Sequence, residues 1–225
     1  MKTYIDQTSA MCGAVVVPAA SSRRPGRAEI RVRSDMLTRS TVAGSRRHGL
    51  VGLLVLAALA TAHPAFHAGG VLDRDALAAG EVWRLWTGHL AHFSVSHLLV
   101  DAVVFALLAG ALRHAGEQTF GRVLFLGAAA LSTSLLCCDA SLAHYGGLSG
   151  INALLAGRLA RRWFQAGGQE RMLGFVLLTV TAGKFTLDSV GLGVTGVEFG
   201  SVAVVPSHLS HWLGLFWGLV LPRTK

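Results

Sequence analysis

Tyr145-Gly146-Gly147-Leu148-Ser149-Gly150, followed by an apolar run from Ile151 to about Ala160, is the stretch on which the reading of this sequence turns. Glycine brings no side chain to an apolar surrounding and weakens a helix interior. What it provides is room for backbone or substrate to come close to a neighbouring hydroxyl. A serine in an apolar helix, taken alone, more often bonds its own backbone or serves close packing. Between Gly147 and Gly150, at the mouth of a helix, Ser149 becomes a candidate nucleophile. The other apolar segments are then read as a frame that holds a histidine and an oxyanion pocket against it.

Composition says what that frame is made of. The chain has 225 residues, 52% hydrophobic and 14% charged, with a mean hydropathy of +0.52. A soluble domain carries about a quarter charged residues. Here the apolar residues gather in blocks of roughly 17–22, the length that crosses a bilayer as helix. The formal charge of +8 raises nucleic acid as a partner. The basic residues, however, sit in the N-terminal tail and in alternate loops, which points to membrane orientation and away from nucleic acid. Cys12 and the adjacent Cys137-Cys138 make neither a disulfide framework nor a metal-ligand spacing. They read as small apolar residues, and no cofactor or metal is expected.

Residues 1–48 are rich in Ser, Arg, Gly and Ala without helical periodicity, and read as a disordered basic cytoplasmic tail. Met36 is an alternative initiator within it. Residues 49–225 form the second region. Leu50 to Phe66 is the first expected span; its rival is a signal peptide, with Ala60-Thr61-Ala62 as the cleavage site. An acidic-leaning loop over 67–88 carries Asp73, Asp75, Glu81 and Trp83-Arg84. Further spans are expected at 95–112, 120–138, 148–164, 171–189 and 206–222. Arg113, Arg122, Arg158, Arg161, Arg162, Arg171, Arg223 and Lys225 fall on one side, Asp139 and Glu198 on the other. The expected architecture is an all-α, six-span membrane protein with both termini cytoplasmic. Ser149, His92, His97, His208 and His211 then enter their spans from the outer side, at one depth, where ionisable groups are costly and usually functional.

His211 is followed by Gly214 and Gly218, so the three share one helix face. Gly150, Ala153 and Gly157 offer a matching stripe of small residues on the Ser149 helix. Close packing of the two stripes would bring an imidazole to the Ser149 hydroxyl, which must lose its proton as it attacks. His208, one turn earlier, lacks such glycines and reads as a helix-mouth residue; His144 is a rival base in the loop. His97 and Asp101 are i and i+4 and point the same way. Peptide cleavage develops negative charge on a carbonyl oxygen, so donors must aim there; His97 and the Ser149 N–H are the candidates, with His89 and His92 just ahead. Lys184 and Asp188, i and i+4, read as an ion pair, and the glycine-bearing loop Gly191–Pro206 as a cap or a plain connector.

Taken together, Trp83-Arg84, Thr87, His92-Phe93-Ser94 with His97, Gly147-Leu148-Ser149-Gly150, and His211-Trp212-Leu213-Gly214 with Gly218 resemble the rhomboid intramembrane serine proteases in order and rough spacing. The compact six-span form is most similar to the rhombosortase branch. The resemblance implies a Ser149–His211 dyad without a third acid, an outward-facing cavity in a bacterial inner membrane, and oxyanion assistance from His97. It also implies Trp83-Arg84 in the first outer loop. Its implied substrates are membrane-anchored proteins, among them exported proteins with a C-terminal Gly-Gly-type sorting tail. Two positions depart from the family pattern. Asp101 stands where many members have asparagine, so it must be protonated, turned away, or orienting a histidine. Ala153 stands where an aromatic often supports the catalytic ring.

Two other classes compete. A metal-binding membrane protein would use His89, His92, His97, Asp101, His208 and His211, but leaves Ser149 and its glycines unexplained. A catalytically silent rhomboid-like binder would fit Asp101 and Ala153, but not an intact Ser149 and His211.

Overall fold

The computed structural model describes residues 52–59, 61–192 and 207–222. The tail 1–48 with Met36, the loop from residue 193 to Pro206 with Glu198, and the terminal charges Arg223 and Lys225 lie outside the described residues. Within them the chain is mostly helical. Its long helices are α5 (Val95–His114), α6 (Phe120–Cys138), α7 (Ser149–Ala166), α8 (Gly168–Ser189) and α9 (His208–Val220). Ahead of them come α1 (Gly52–Leu59), α2 (Pro64–Gly70), α3 (Arg74–Ala78), α4 (Arg84–Thr87) and a 3-10 turn at Gly88–Leu90.

Three helices are long and apolar enough to cross a membrane: α5, α6 and α8. The bent pair α1 and α2 makes a fourth if it counts as one span. This pair departs from the single straight span expected over 50–66. The two helices meet at 107°. Pro64 is the reason: it cannot accept a place inside a continuous helix, and it forces His63 to extended dihedrals (φ −112°, ψ 115°). Neither α7 nor α9 is marked by length and composition. The first carries Arg158, Arg161 and Arg162; the described part of the second has 13 residues.

The expected loop over 67–88 is also structured. Leu72–Asp73 (β1) pairs antiparallel with His144–Tyr145 (β2), matching Leu72 to Tyr145 and Asp73 to His144. Arg84 is the hub of this segment and is 7% exposed. Its guanidinium donates to the carbonyls of Ala68 (2.8 Å) and Val71 (2.6 Å) and grips the Glu81 carboxylate at 2.7 Å. Each such charge-assisted bond contributes about 1.5–3 kcal/mol. The ladder ties the segment ahead of α4 to the segment that leads into Ser149.

α7 runs through the middle of the bundle, buried without a break from Gly150 to Ala160, with α5, α8 and α9 packed on it. Outward faces are apolar: Val95, Leu99, Val103 and Leu107 on α5, Phe175, Val176 and Val180 on α8, Phe216 on α9. Inward lie Arg84, His89, His92, His97, Asp101, Asn152, Arg158 and Asp188, all buried. Apolar outside and polar inside is the arrangement a hydrocarbon surrounding favours, since polar groups there must find partners within the protein.

The tightest contact is between α7 and α9, which run parallel. A Cβ on Gly214 would land on the Gly150 carbonyl oxygen, and one on Gly218 on that of Leu154. A Cβ on Gly157 would lie 2.5 Å from the Leu215 carbonyl oxygen. Only hydrogen fits at these three points. At the far end, Arg158 donates to the Leu221 carbonyl (2.6 Å) and pairs with Glu117 (2.9 Å). Arg161 donates to the carbonyls of Leu219 (2.9 Å) and Leu221 (2.7 Å), and Arg162 to that of Ala115. These cations satisfy the last carbonyls of α9 and the C-cap of α5, groups a helix cannot satisfy itself.

Candidate active site

Ser149 is the first residue of α7, after Leu148 as N-cap. At a helix start the backbone N–H groups have no partner within the helix. The Gly147 N–H is already used by the Gly88 carbonyl (3.2 Å), and the Leu148 N–H points to His92 Nε2 (3.3 Å). The Gly150 N–H is turned to the Tyr145 hydroxyl. Gly147 has φ +119°, a region that disfavours any side chain. It also stands where a Cβ would be 2.8 Å from His97 Cε1, 2.9 Å from His97 Nε2 and 3.4 Å from Asp101 Oδ2. The turn before Ser149 is therefore laid directly against the His97 ring and the Asp101 carboxylate.

Those two side chains belong to α5, whose start is capped by Ser94 accepting from the His97 N–H (3.1 Å). Asp101 Oδ2 is 3.2 Å from His97 Nε2 and 3.3 Å from His92 Nε2. Asn152 on α7 donates to Asp101 Oδ1 (3.2 Å) and to its carbonyl (3.1 Å). Of the three states open to Asp101 from the sequence, the carboxylate is thus turned toward the histidines. His92 places Nδ1 2.9 Å from the Leu90 carbonyl, which fixes the proton on Nδ1 and leaves Nε2 its lone pair.

His211 stands at the same end of the bundle. Its neighbour Ser210 sets its carbonyl 3.4 Å from where a Cβ of Gly150 would be. The imidazole stacks on Phe185 of α8, ring centres 4.8 Å apart at 23°. Its Nδ1 is buried without a hydrogen-bond partner. Lys184, Asp188, Asp101 and His208 are the charged or titratable groups in electrostatic reach of it. Among the described residues no hydrogen bond joins Ser149 to His211. The group facing the Ser149 hydroxyl is the Tyr145 hydroxyl, which also meets Ser210 and the Gly150 backbone. Burial pushes the Tyr145 phenol up to about 12, so at neutral pH it is a protonated donor.

The chain matches no family model and no curated protein.

Several residues fall elsewhere. His144 pairs with Asp73 at 3.0 Å on the β1–β2 ladder, its side chain mostly exposed. His208 opens α9. His89 is buried against Ser132 Oγ (3.0 Å) and the Ala128 carbonyl (3.2 Å). That burial holds its imidazole down at about 4, neutral and structural. Lys184 and Asp188 do pair. Cys137 and Cys138 are exposed at the end of α6.

Three site residues escaped the sequence reading. Phe185 lies on a different helix from the position where an aromatic was sought, so no local spacing could reveal it. Asn152 is a single polar residue in an apolar run; its i+3 position from Ser149 is the available signal. Tyr145 was on the page, two residues before Gly147, but its use depends on the ladder that turns its hydroxyl inward.

Proposed function

We propose that the chain is an intramembrane serine endopeptidase of rhomboid type, six-spanning, with Ser149 as nucleophile and His211 as base. The observation that carries this reading is the hydrogen-only contact of α7 and α9 at Gly157, Gly214 and Gly218. It locks two parallel helices together so that both residues stand at one end of the bundle. In a resting site, catalytic hydrogen bonds are often long and tighten only with substrate. Ser149 Oγ attacks the scissile carbonyl and passes its proton to His211, and the carbonyl oxygen gathers negative charge. The Ser149 N–H and the His97 ring are the donors this reading offers to that charge. His211 then returns the proton to the departing amine, and water releases the acyl chain. Phe185 stacked beneath His211 takes the part that Ala153 cannot.

Substrates of such a site are membrane-anchored proteins cleaved near the outer face, with C-terminal sorting tails of exported proteins the class favoured by the rhombosortase-like motifs. The basic clusters support, by the positive-inside rule, a reading with both termini in the cytoplasm of a bacterial cell and the site on the periplasmic face of the inner membrane. Labelling of the purified chain in lipid by a fluorophosphonate probe tests the reading. Label is expected on the wild type and none on Ser149→Ala or His211→Ala; equal labelling of Ser149→Ala and wild type overturns it, as does no labelling at all.

A further inference from the structure

We propose that His92, His97 and Asp101 form a binding site for one divalent transition ion of the zinc class. The site shares His97 with the peptidase reading, but its test reads metal uptake alone, so the two can fail separately. The three donor atoms, His92 Nε2, His97 Nε2 and Asp101 Oδ2, all lie within 4.8 Å of one another. A tetrahedral ion with bonds of about 2.1 Å holds neighbouring donors about 3.4 Å apart. The carboxylate oxygen is 3.2 Å from one imidazole nitrogen and 3.3 Å from the other. Two imidazoles and a carboxylate suit zinc, cobalt or iron, and suit calcium and magnesium poorly.

Spacing alone would equally describe a hydrogen-bonded cluster; two further features favour the ion. Asp101 is 6% exposed, and the two imidazole nitrogens converge on its Oδ2. A buried carboxylate is costly unless cationic or donor groups answer it. His92 Nε2, which accepts from the Leu148 N–H at 3.3 Å, also lies 3.3 Å from Asp101 Oδ2. A cation at their meeting point answers both. Nδ1–H bonded to a backbone carbonyl is also how proteins orient a metal-bound imidazole. The Leu148 N–H at 3.3 Å from His92 Nε2 is a long contact that binding would exchange.

The surroundings keep a place for the ion. Asn152 holds the other carboxylate oxygen at 3.2 Å, fixing the plane of Asp101. Gly147 covers the cluster with no side chain, and a Cβ there would sit 2.9 Å from His97 Nε2 and 3.4 Å from Asp101 Oδ2, in the space the ion needs. Three protein donors leave a fourth position for water.

The full chain, purified without a histidine tag, reconstituted and stripped with chelator, is titrated with cobalt(II). Visible d–d absorption reports tetrahedral nitrogen and oxygen coordination, and zinc(II) is then added in competition. The expected result is one cobalt per chain, an intense tetrahedral spectrum, and displacement by zinc. Outer-sphere changes already weaken metal sites by about 10–100-fold, so loss of a direct ligand in Asp101→Asn or His92→Ala should weaken binding by about 100-fold or more. His144→Ala, remote from the cluster, should bind as the wild type does. Asp101→Asn keeps the shape of the side chain and guards against a folding artefact, with helicity checked by circular dichroism. No saturable one-to-one uptake overturns the site, as does a weak octahedral spectrum or an isotherm unchanged in Asp101→Asn.

Discussion

Gly157→Ala is the most informative single substitution. The added Cβ would lie 2.5 Å from the Leu215 carbonyl oxygen, whereas ordinary contact begins at 3.4 Å, so α7 and α9 must part by about 0.9 Å. Its next neighbours, the Leu215 side chain and the Leu219 backbone nitrogen, are both at 3.3 Å and also on α9. Backbone cannot swing aside as a side chain would. Overpacking of this kind costs about 1–3 kcal/mol, and alanine returns up to about 1 kcal/mol of helix propensity, a net loss on the order of 1 kcal/mol. That leaves the protein folded. His211 sits one turn before Leu215, and a shift of about 1 Å between reacting groups can cost about 100-fold in rate. The fluorophosphonate labelling rate of Ser149 should therefore fall by about 100-fold while unfolding in detergent shifts only slightly. Gly110→Ala on α5 is the control, because nothing lies within 4 Å of its added Cβ. It should leave labelling unchanged and stabilise the helix by up to about 1 kcal/mol. Wild-type labelling in Gly157→Ala, or equal damage from Gly110→Ala, would refute the claim that the glycine contact positions the pair.

Phe185→Ala removes the ring stacked on His211; aromatic contacts of this kind contribute about 0.5–1.5 kcal/mol, so labelling should drop by roughly tenfold with the bundle intact. Arg84→Lys keeps the charge but loses the fork that holds Ala68, Val71 and Glu81, and should lower stability by about 2–4 kcal/mol in denaturant titration. For His89 the folded imidazole titrates at about 4 and the unfolded one at 6.5, so the unfolded chain binds the extra proton between those values. Stability is complete above pH 6.5 and declines as pH falls toward 4, with a slope of up to about 1.4 kcal/mol per pH unit. His89→Gln should flatten that stretch of the pH–stability curve. A slope identical in the variant and the wild type counts against the assignment.

How far the sequence could be read depended on the range of the forces involved. Uninterrupted apolar runs reveal α5, α6 and α8, because crossing length and hydropathy are local properties. The glycine stripes on α7 and α9 were legible for the same reason: a spacing of three or four residues defines a helix face wherever the helix goes. Pro64 is in plain view, yet its effect on the first apolar run was outweighed by hydropathy, which is blind to a missing N–H. The β1–β2 ladder and the Arg84 hub stayed hidden, since two-residue strands have no periodicity and an arginine does not announce which carbonyls it will reach. The partnership of Asp101 with His92 and Asn152 is of that kind too. His97 at i−4 could be read from spacing, but His92 comes from the segment before α5 and Asn152 from α7, 51 residues away.

The arginines of α7 give α9 a fixed end. Arg158 and Arg161 hold the carbonyls of Leu219 and Leu221, while His211 stands at the opposite end of a rod about 20 Å long. A rod pinned at its foot moves most at its tip: a tilt of about 3° carries the tip through about 1 Å, the displacement that decides whether an imidazole reaches a hydroxyl. Anything that leans on the upper part of α9 thus moves His211 with mechanical advantage, and the guanidinium groups at the base set the pivot about which that advantage works.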